Sequence, residues 1–106
     1  MSYRWPNKDP DETLDYSVDW SRFLGDTATV QSVAWFIDDE SGTKTSFAPT
    51  TVVNGLQPVS VTNTTKITTI YLGLGTNNKT YKLYCRMTDT QGRVAERTVS
   101  LSVKER

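Results

Sequence analysis

The residue types best suited to catalysis or metal binding are scarce in this chain. The sequence of 106 residues contains no histidine and one cysteine, so it lacks the commonest general base and the commonest transition-metal ligand. One thiol without histidine does not make a zinc site, and no glycine-rich phosphate-binding loop joins a strand to a helix. The sequence therefore predicts no catalytic residue, no metal ligand and no cofactor, and a protein that is not an enzyme.

Two groups of carboxylates are the remaining candidates for chemistry. Asp38, Asp39 and Glu40 are consecutive, but they lack the ligand spacing of a known calcium-binding loop. Asp15 and Asp19 share one face of a strand-like segment, where a carboxylate pair could act as acid and base. A solvated turn for the first group and an exposed outer strand face for the second are the simpler interpretations.

Composition limits the classes of partner. Lys plus Arg and Asp plus Glu number 12 each, which gives a net charge of zero, so neither nucleic acid nor an anionic membrane is predicted as a partner. No apolar run approaches the roughly 20 residues of a membrane helix, and the N-terminus lacks a signal-peptide layout. We expect folding in the compartment of synthesis, with Cys85 as a small buried hydrophobe.

Alternating apolar and polar residues predict an all-β protein. Apolar and polar residues alternate at 81–87 and again at 99–103, on either side of a polar segment that contains Gly92, which is typical of a β-hairpin. Further strand-like segments and an Asn54–Gly55 turn bring the total to about seven strands, as in an immunoglobulin-like β-sandwich with Trp35 buried in its core. Helical periodicity is limited to a possible single turn at residues 21–25.

The N-terminal residues differ in composition from the rest. Residues 1–12 are polar and contain two prolines, which predicts an extended arm that a partner would order, followed by the sandwich domain at residues 13–106. Tyr3, Trp5 and Pro6 lie in this arm outside any apolar pattern, so we predict them as partner-binding residues. The alternative is that the two aromatic residues fold back onto their own domain.

Short segments with a recognisable order and spacing run along almost the whole chain. They are KDPD at 8–11, LDYSVDW at 14–20, FLGD at 23–26, the strand at 30–35, GL at 55–56, TIYLG at 69–73, GRVAER at 92–97 and VKER at 103–106. Together they resemble a family of small tailed-bacteriophage virion proteins, often described as fibre-tail adaptor or minor structural proteins with an immunoglobulin-like fold, and their order and spacing make the resemblance specific.

The resemblance implies a virion structural protein that is made in the host cytoplasm and repeated in a symmetric assembly. Its implied partners are other virion proteins of the tail, connector or fibre. Residues 38–54 form an insertion relative to the family pattern, which predicts an added hairpin at an end or edge of the sandwich. We predict Phe47 in this insertion as a further partner-binding residue, and we expect deletion of residues 1–12 to prevent incorporation into particles without unfolding the domain.

Two other functions remain open from the sequence. A carbohydrate- or host-surface-binding sandwich would use exposed aromatic residues to stack on sugars, and Tyr71 and Tyr84 are both predicted on outer faces. A capsid decoration protein would have the same fold and would bind capsomers. The number of copies in purified particles separates a decoration protein from a tail adaptor.

Overall fold

A computed structural model describes residues 2–49 and 51–105. Met1, Thr50 and Arg106, which fall in the predicted arm, the insertion and the last motif, lie outside the described residues. One five-stranded sheet has the order β1-β8-β7-β3-β4, and one three-stranded sheet has the order β2-β6-β5. The elements are β1 Ser2–Arg4, β2 Leu14–Asp19, α1 Ser21–Leu24, β3 Val30–Asp38, β4 Lys44–Ser46, β5 Leu56–Asn63, β6 Ile67–Leu74, β7 Lys79–Asp89 and β8 Val94–Val103.

The two sheets enclose one apolar core. The alternation seen in the sequence turns Tyr81, Leu83, Cys85 and Met87 of β7 inward, and Trp35 on β3 is 5% exposed. Since β2-β6-β5 form one layer and β3, β7 and β8 lie together in the other, the topology matches the immunoglobulin arrangement. The predicted all-β sandwich is confirmed, and the described residues add an eighth strand.

That additional strand lies in the segment predicted as an arm. β1 pairs in parallel with β8, and the N–H of Trp5 donates to the carbonyl oxygen of Ser100 at 2.9 Å. The Trp5 ring is 8% exposed, stacks on Tyr16 at 4.9 Å between ring centroids, and donates through Nε1 to the Ser17 carbonyl. This corrects the expectation that residues 1–12 extend away from the domain, because main-chain pairing and burial of an indole outweigh the polar composition around them.

Lys8 extends this attachment to the end of the sheet. It is fully buried, its Nζ donates to the carbonyl oxygens of Asp9 and Leu74, and its main chain bonds to Ser102 and Lys104. Burial lowers the pKa of Lys8, while the nearby carboxylates, Glu12 foremost, act in the opposite direction. The first residue of the KDPD segment is therefore a structural contact, and no boundary at residue 12 separates an arm from the domain.

The insertion at residues 38–54 forms a short hairpin, as predicted. β4 pairs with the last three residues of β3 at the sheet edge, and the main chain continues so that the N–H of Phe47 donates to the carbonyl of Trp35 at 3.0 Å. At the end of the insertion, the Asn54 carbonyl accepts a hydrogen bond from the Tyr81 hydroxyl at 2.6 Å. Asn54 and Gly55 have φ values of 52° and 85°, which is the conformation that a type I′ turn requires.

The same side-chain arrangement closes two hairpins, β3–β4 and β7–β8. Asp39 Oδ1 accepts the N–H groups of Ser41 and Thr43, and Asp89 Oδ1 accepts those of Gln91 and Arg93. Asp89 is fully buried and also pairs with Arg93 Nε at 2.7 Å. Burial alone would raise the pKa of Asp89, but these hydrogen bonds and the Arg93 charge hold it below its usual value.

Asp89→Ala is expected to lower the free energy of unfolding by about 2–3 kcal/mol at pH 7, because it removes the buried carboxylate that accepts the N–H groups of Gln91 and Arg93 and pairs with the Arg93 guanidinium. Asp39→Ala is the matched control and should cost less than Asp89→Ala, since Asp39 is less buried and takes part in no ion pair within residues 2–49 and 51–105. Because the pKa of Asp89 is depressed in the folded state, its contribution is present above pH 4 and is lost as the pH falls through the folded value. Urea titrations at pH 7 and pH 3 test this; equal losses for the two variants at pH 7 would contradict it.

Candidate interaction surface

The outer face of the five-stranded sheet carries a group of exposed cations with half-buried aromatic and acidic side chains. Neighbours of inward residues point outward, and the strand register places Phe36 opposite Tyr84 and Arg86 opposite Glu96. We call this group the basic aromatic face; its residues are Phe36, Asp38, Lys44, Lys82, Tyr84, Arg86 and Glu96.

Cations lie over both aromatic rings of this face. Lys44 Nζ is 4.2 Å from the centroid of the Tyr84 ring, and the Arg86 guanidinium carbon is 5.0 Å from that of Phe36. Lys82 Nζ lies at 5.7 Å from the Tyr84 centroid. Contacts at these distances contribute roughly 0.5–1 kcal/mol each at exposed sites, so they favour this arrangement of the rings and the long side chains.

The carboxylates of the face are held beneath its cations. Glu96 pairs with Lys44 at 2.9 Å and with Arg86 at 3.2 Å, and the hydrogen bond from Lys44 is the main reason that the pKa of Glu96 lies below its ordinary value. The Tyr84 hydroxyl donates to Asp38 at 2.8 Å. Burial, followed by this bond to a carboxylate, raises the pKa of Tyr84 to about 12. Lys44, Lys82 and Arg86 are exposed, whereas both carboxylates are half-buried, so the face presents positive charge to solvent.

The predicted partner-binding residues lie elsewhere. Trp5 and Phe47 are 8% and 1% exposed, so both are core residues of the isolated chain and neither offers an exposed ring. Pro6 is exposed beside Trp5. Tyr3 lies in β1 opposite Val99, and its side chain lies outside the described part of the structure.

The aromatic residues considered for sugar binding occupy opposite sides of the sandwich. Tyr71 is on the outer face of the three-stranded sheet and is 38% exposed, whereas Tyr84 is on the basic aromatic face beneath Lys44. One stacking platform cannot contain both rings. The sequence-based predictions did not include Phe36 or the cations around Tyr84 as candidate site residues. The signal for Phe36 was present, because its neighbours Trp35 and Ile37 point inward and therefore place Phe36 on the outer face.

The candidate carboxylates largely follow the simpler interpretations, except that Asp38 is not in the solvated turn: it is the half-buried last residue of β3 and accepts a hydrogen bond from Tyr84. Asp15 and Asp19 are exposed on the outer face of β2, and Asp39 accepts hydrogen bonds within its own turn. Among residues 2–49 and 51–105, no group of three or more His, Cys, Asp or Glu residues could hold a metal ion. In the same part of the chain, no helix is both long enough and apolar enough to cross a membrane.

Residues 8–102 match the model of the family described as "Podophage GP4 fiber-tail adaptor protein gp77". The chain belongs to this family. The resemblance stated from the sequence is therefore confirmed, and the fibre-tail adaptor family is one of bacteriophage structural proteins found in the virion. No curated protein matches the chain. The matched residues include the whole basic aromatic face and begin at Lys8.

Some residues that signalled the fibre-tail adaptor family have structural roles in the sandwich. In the GRVAER segment, Arg93 pairs with Asp89, and the Arg97 guanidinium carbon lies 4.9 Å from the centroid of the Trp20 ring. Glu96 of the same segment instead organises the basic aromatic face. The segment therefore contributes both to the fold and to the candidate surface.

Proposed function

We propose that this protein is a non-enzymatic adaptor that joins podophage tail components, fibre to tail, through protein–protein contacts. The proposal includes synthesis in the host cytoplasm and repetition around the symmetric tail, with other virion proteins as partners rather than nucleic acid or membrane. Family membership over residues 8–102 supports the adaptor role. The basic aromatic face, with two aromatic rings and three exposed cations on one sheet, is the observation that supports the proposed contact surface.

The composition of this face suits a protein interface. Phenylalanine, tyrosine and arginine are enriched at the centres of protein interfaces, where they supply much of the binding energy. Phe36 and Tyr84 are directly opposite on neighbouring strands, and the Tyr84 hydroxyl is fixed by Asp38. Side chains that are already restricted lose less conformational entropy on binding. The exposed cations favour a partner surface that carries carboxylates.

Arg86→Glu is expected to reduce incorporation into assembled particles at least tenfold, since it places a negative charge beside Glu96 and removes the cation over Phe36. Phe36→Ala should also reduce incorporation by removing one ring. Arg22→Glu is the matched control, because it reverses an exposed charge on α1, away from the face. Quantitative immunoblotting of particles from complemented infections gives the readout, and thermal unfolding of the purified variants checks the fold.

Folded Arg86→Glu and Phe36→Ala proteins that enter particles at the wild-type level would contradict the proposal. Loss of incorporation with Arg22→Glu as well would show that the effect is not specific to the face. The same immunoblots give the copy number, for which a tail adaptor predicts few copies and a capsid decoration protein predicts hundreds.

A further inference from the structure

The outer face of the three-stranded sheet has the opposite charge. In the strand register, Asp15 lies opposite Tyr71 and Asp19 opposite Ile67. Val59, Ile67 and Tyr71 are 46%, 37% and 38% exposed. We call Asp15, Asp19, Val59, Ile67 and Tyr71 the acidic face. The outward residues of β2, β5 and β6, all within the described chain, include no lysine or arginine.

The two carboxylates of the acidic face differ in their surroundings. Asp19 accepts hydrogen bonds from the N–H and hydroxyl of Ser21, and Lys66, which donates to the carbonyl oxygen of Gly25, lies near it. Asp15 is exposed and takes part in no ion pair within residues 2–49 and 51–105. Asp15 is therefore the carboxylate on this face that a cation from outside the chain can best reach.

The residues that define the basic aromatic face include three cations and two carboxylates, whereas those of the acidic face include two carboxylates and no cation, so the two faces differ in charge although the net charge of the chain is zero. The basic aromatic face has Lys44, Lys82 and Arg86 exposed around Phe36 and Tyr84, while the acidic face has carboxylates around exposed apolar side chains. Each face has an apolar centre and a charged margin, as protein interfaces do. Two identical faces placed together would bring like charges into contact, whereas unlike faces are complementary.

We propose that the basic aromatic face of one copy packs against the acidic face of the next copy. This inference rests on the proposed function, because it names a second copy of the chain as the neighbour that covers the basic aromatic face. A front-to-back contact is heterologous, so repetition produces a closed ring or an open filament rather than a two-fold dimer. In such an arrangement the edges and ends of each sandwich remain accessible to tail and fibre proteins.

Charge reversal on each face tests the pairing. Asp15→Lys changes an exposed residue of the acidic face, and Lys82→Glu changes one of the basic aromatic face. Sedimentation velocity at low salt measures the self-association of the wild type, each single variant, the double variant and an equimolar mixture of the two single variants. We expect wild-type self-association to weaken as the salt concentration increases. Each single charge reversal should weaken self-association about tenfold, which corresponds to about 1.4 kcal/mol. The double variant and the mixture should both recover most of the wild-type association.

Asp11→Lys is the control here, because Asp11 is exposed and belongs to neither face; it should associate as wild type does. A wild-type chain that stays monomeric at every salt and protein concentration would overturn the pairing, as would single variants that associate normally or a mixture that shows no recovery. These outcomes leave the adaptor proposal standing if Arg86→Glu still prevents incorporation into particles. Normal incorporation of Arg86→Glu into particles would instead contradict the proposed function, on which the pairing rests.

Discussion

Trp5→Ala is expected to lower the free energy of unfolding by about 3–5 kcal/mol, the range typical of removing a large buried aromatic side chain. The indole is 8% exposed, stacks on Tyr16 and donates to the carbonyl of Ser17, so its removal leaves a cavity and an unpaired carbonyl oxygen. Because small domains are stable by only about 5–15 kcal/mol, this is a large fraction of the total. Urea-induced unfolding followed by intrinsic fluorescence and circular dichroism measures the loss.

Pro6→Ala is the control from the same segment, because Pro6 is exposed, and it should change stability by less than about 1 kcal/mol. Deletion of residues 1–12 removes β1, Trp5 and Lys8 together, so it should destabilise the domain more than Trp5→Ala does. This replaces the sequence-based expectation that the domain folds without these residues. A Trp5→Ala protein as stable as Pro6→Ala would show that the segment is an arm after all.

Phe47→Ala is the second variant for which we expect a loss of about 3–5 kcal/mol. Phe47 is 1% exposed and its N–H bonds to the carbonyl of Trp35, so the insertion contributes a full aromatic ring to the core. Val52→Ala is the matched control within the same insertion, because Val52 is 53% exposed; it should change stability by less than about 0.5 kcal/mol. Equal urea midpoints for the two variants would mean that the insertion is not part of the core.

The sequence predicted best the elements whose pattern is local. The closing hairpin follows from the alternation in β7 and at Val99, Leu101 and Val103 of β8, and the Asn54–Gly55 turn follows from residue types that accept positive φ. Trp35 was also predicted correctly as buried, since its neighbours alternate with it. In each case, a few adjacent residues contain the whole signal.

The N-terminal segment was predicted poorly because its pairing is long-range. β1 is three residues long and pairs in parallel with a strand more than 90 residues later, so no local periodicity marks it. From its sequence context, Lys8 is expected to be solvated. It is nevertheless buried, and its ammonium group donates hydrogen bonds to the carbonyl oxygens of Leu74, at the end of β6, and Asp9. Polar composition alone therefore does not separate an arm from an edge strand.

The candidate surface was only partly predictable for a related reason. Alternation around Trp35 and Ile37 turns Phe36 outward, and the alternation of β7 turns Tyr84 outward. The position of Lys44 over Tyr84 depends instead on the register of the β3–β4 hairpin inside the insertion. Phe47 was assigned to a partner because it lies in an insertion, but the same register places it opposite Trp35 and turns it inward.

Photo-cross-linking inside assembled particles tests the central claim that the basic aromatic face contacts another virion subunit. A photoreactive amino acid replaces Arg86 on the face or, as the control, Arg22 on α1, and mass spectrometry identifies the cross-linked peptides. The account predicts a product between position 86 and a neighbouring virion protein, with peptides from β2 or β6 of a second copy as the expected partner. Position 22 should give no product with β2 or β6 of a second copy, because it lies beside the acidic face, which contacts the opposite face of its neighbour. Particles that contain the position-86 variant at the normal copy number but yield no cross-link from it would contradict the account.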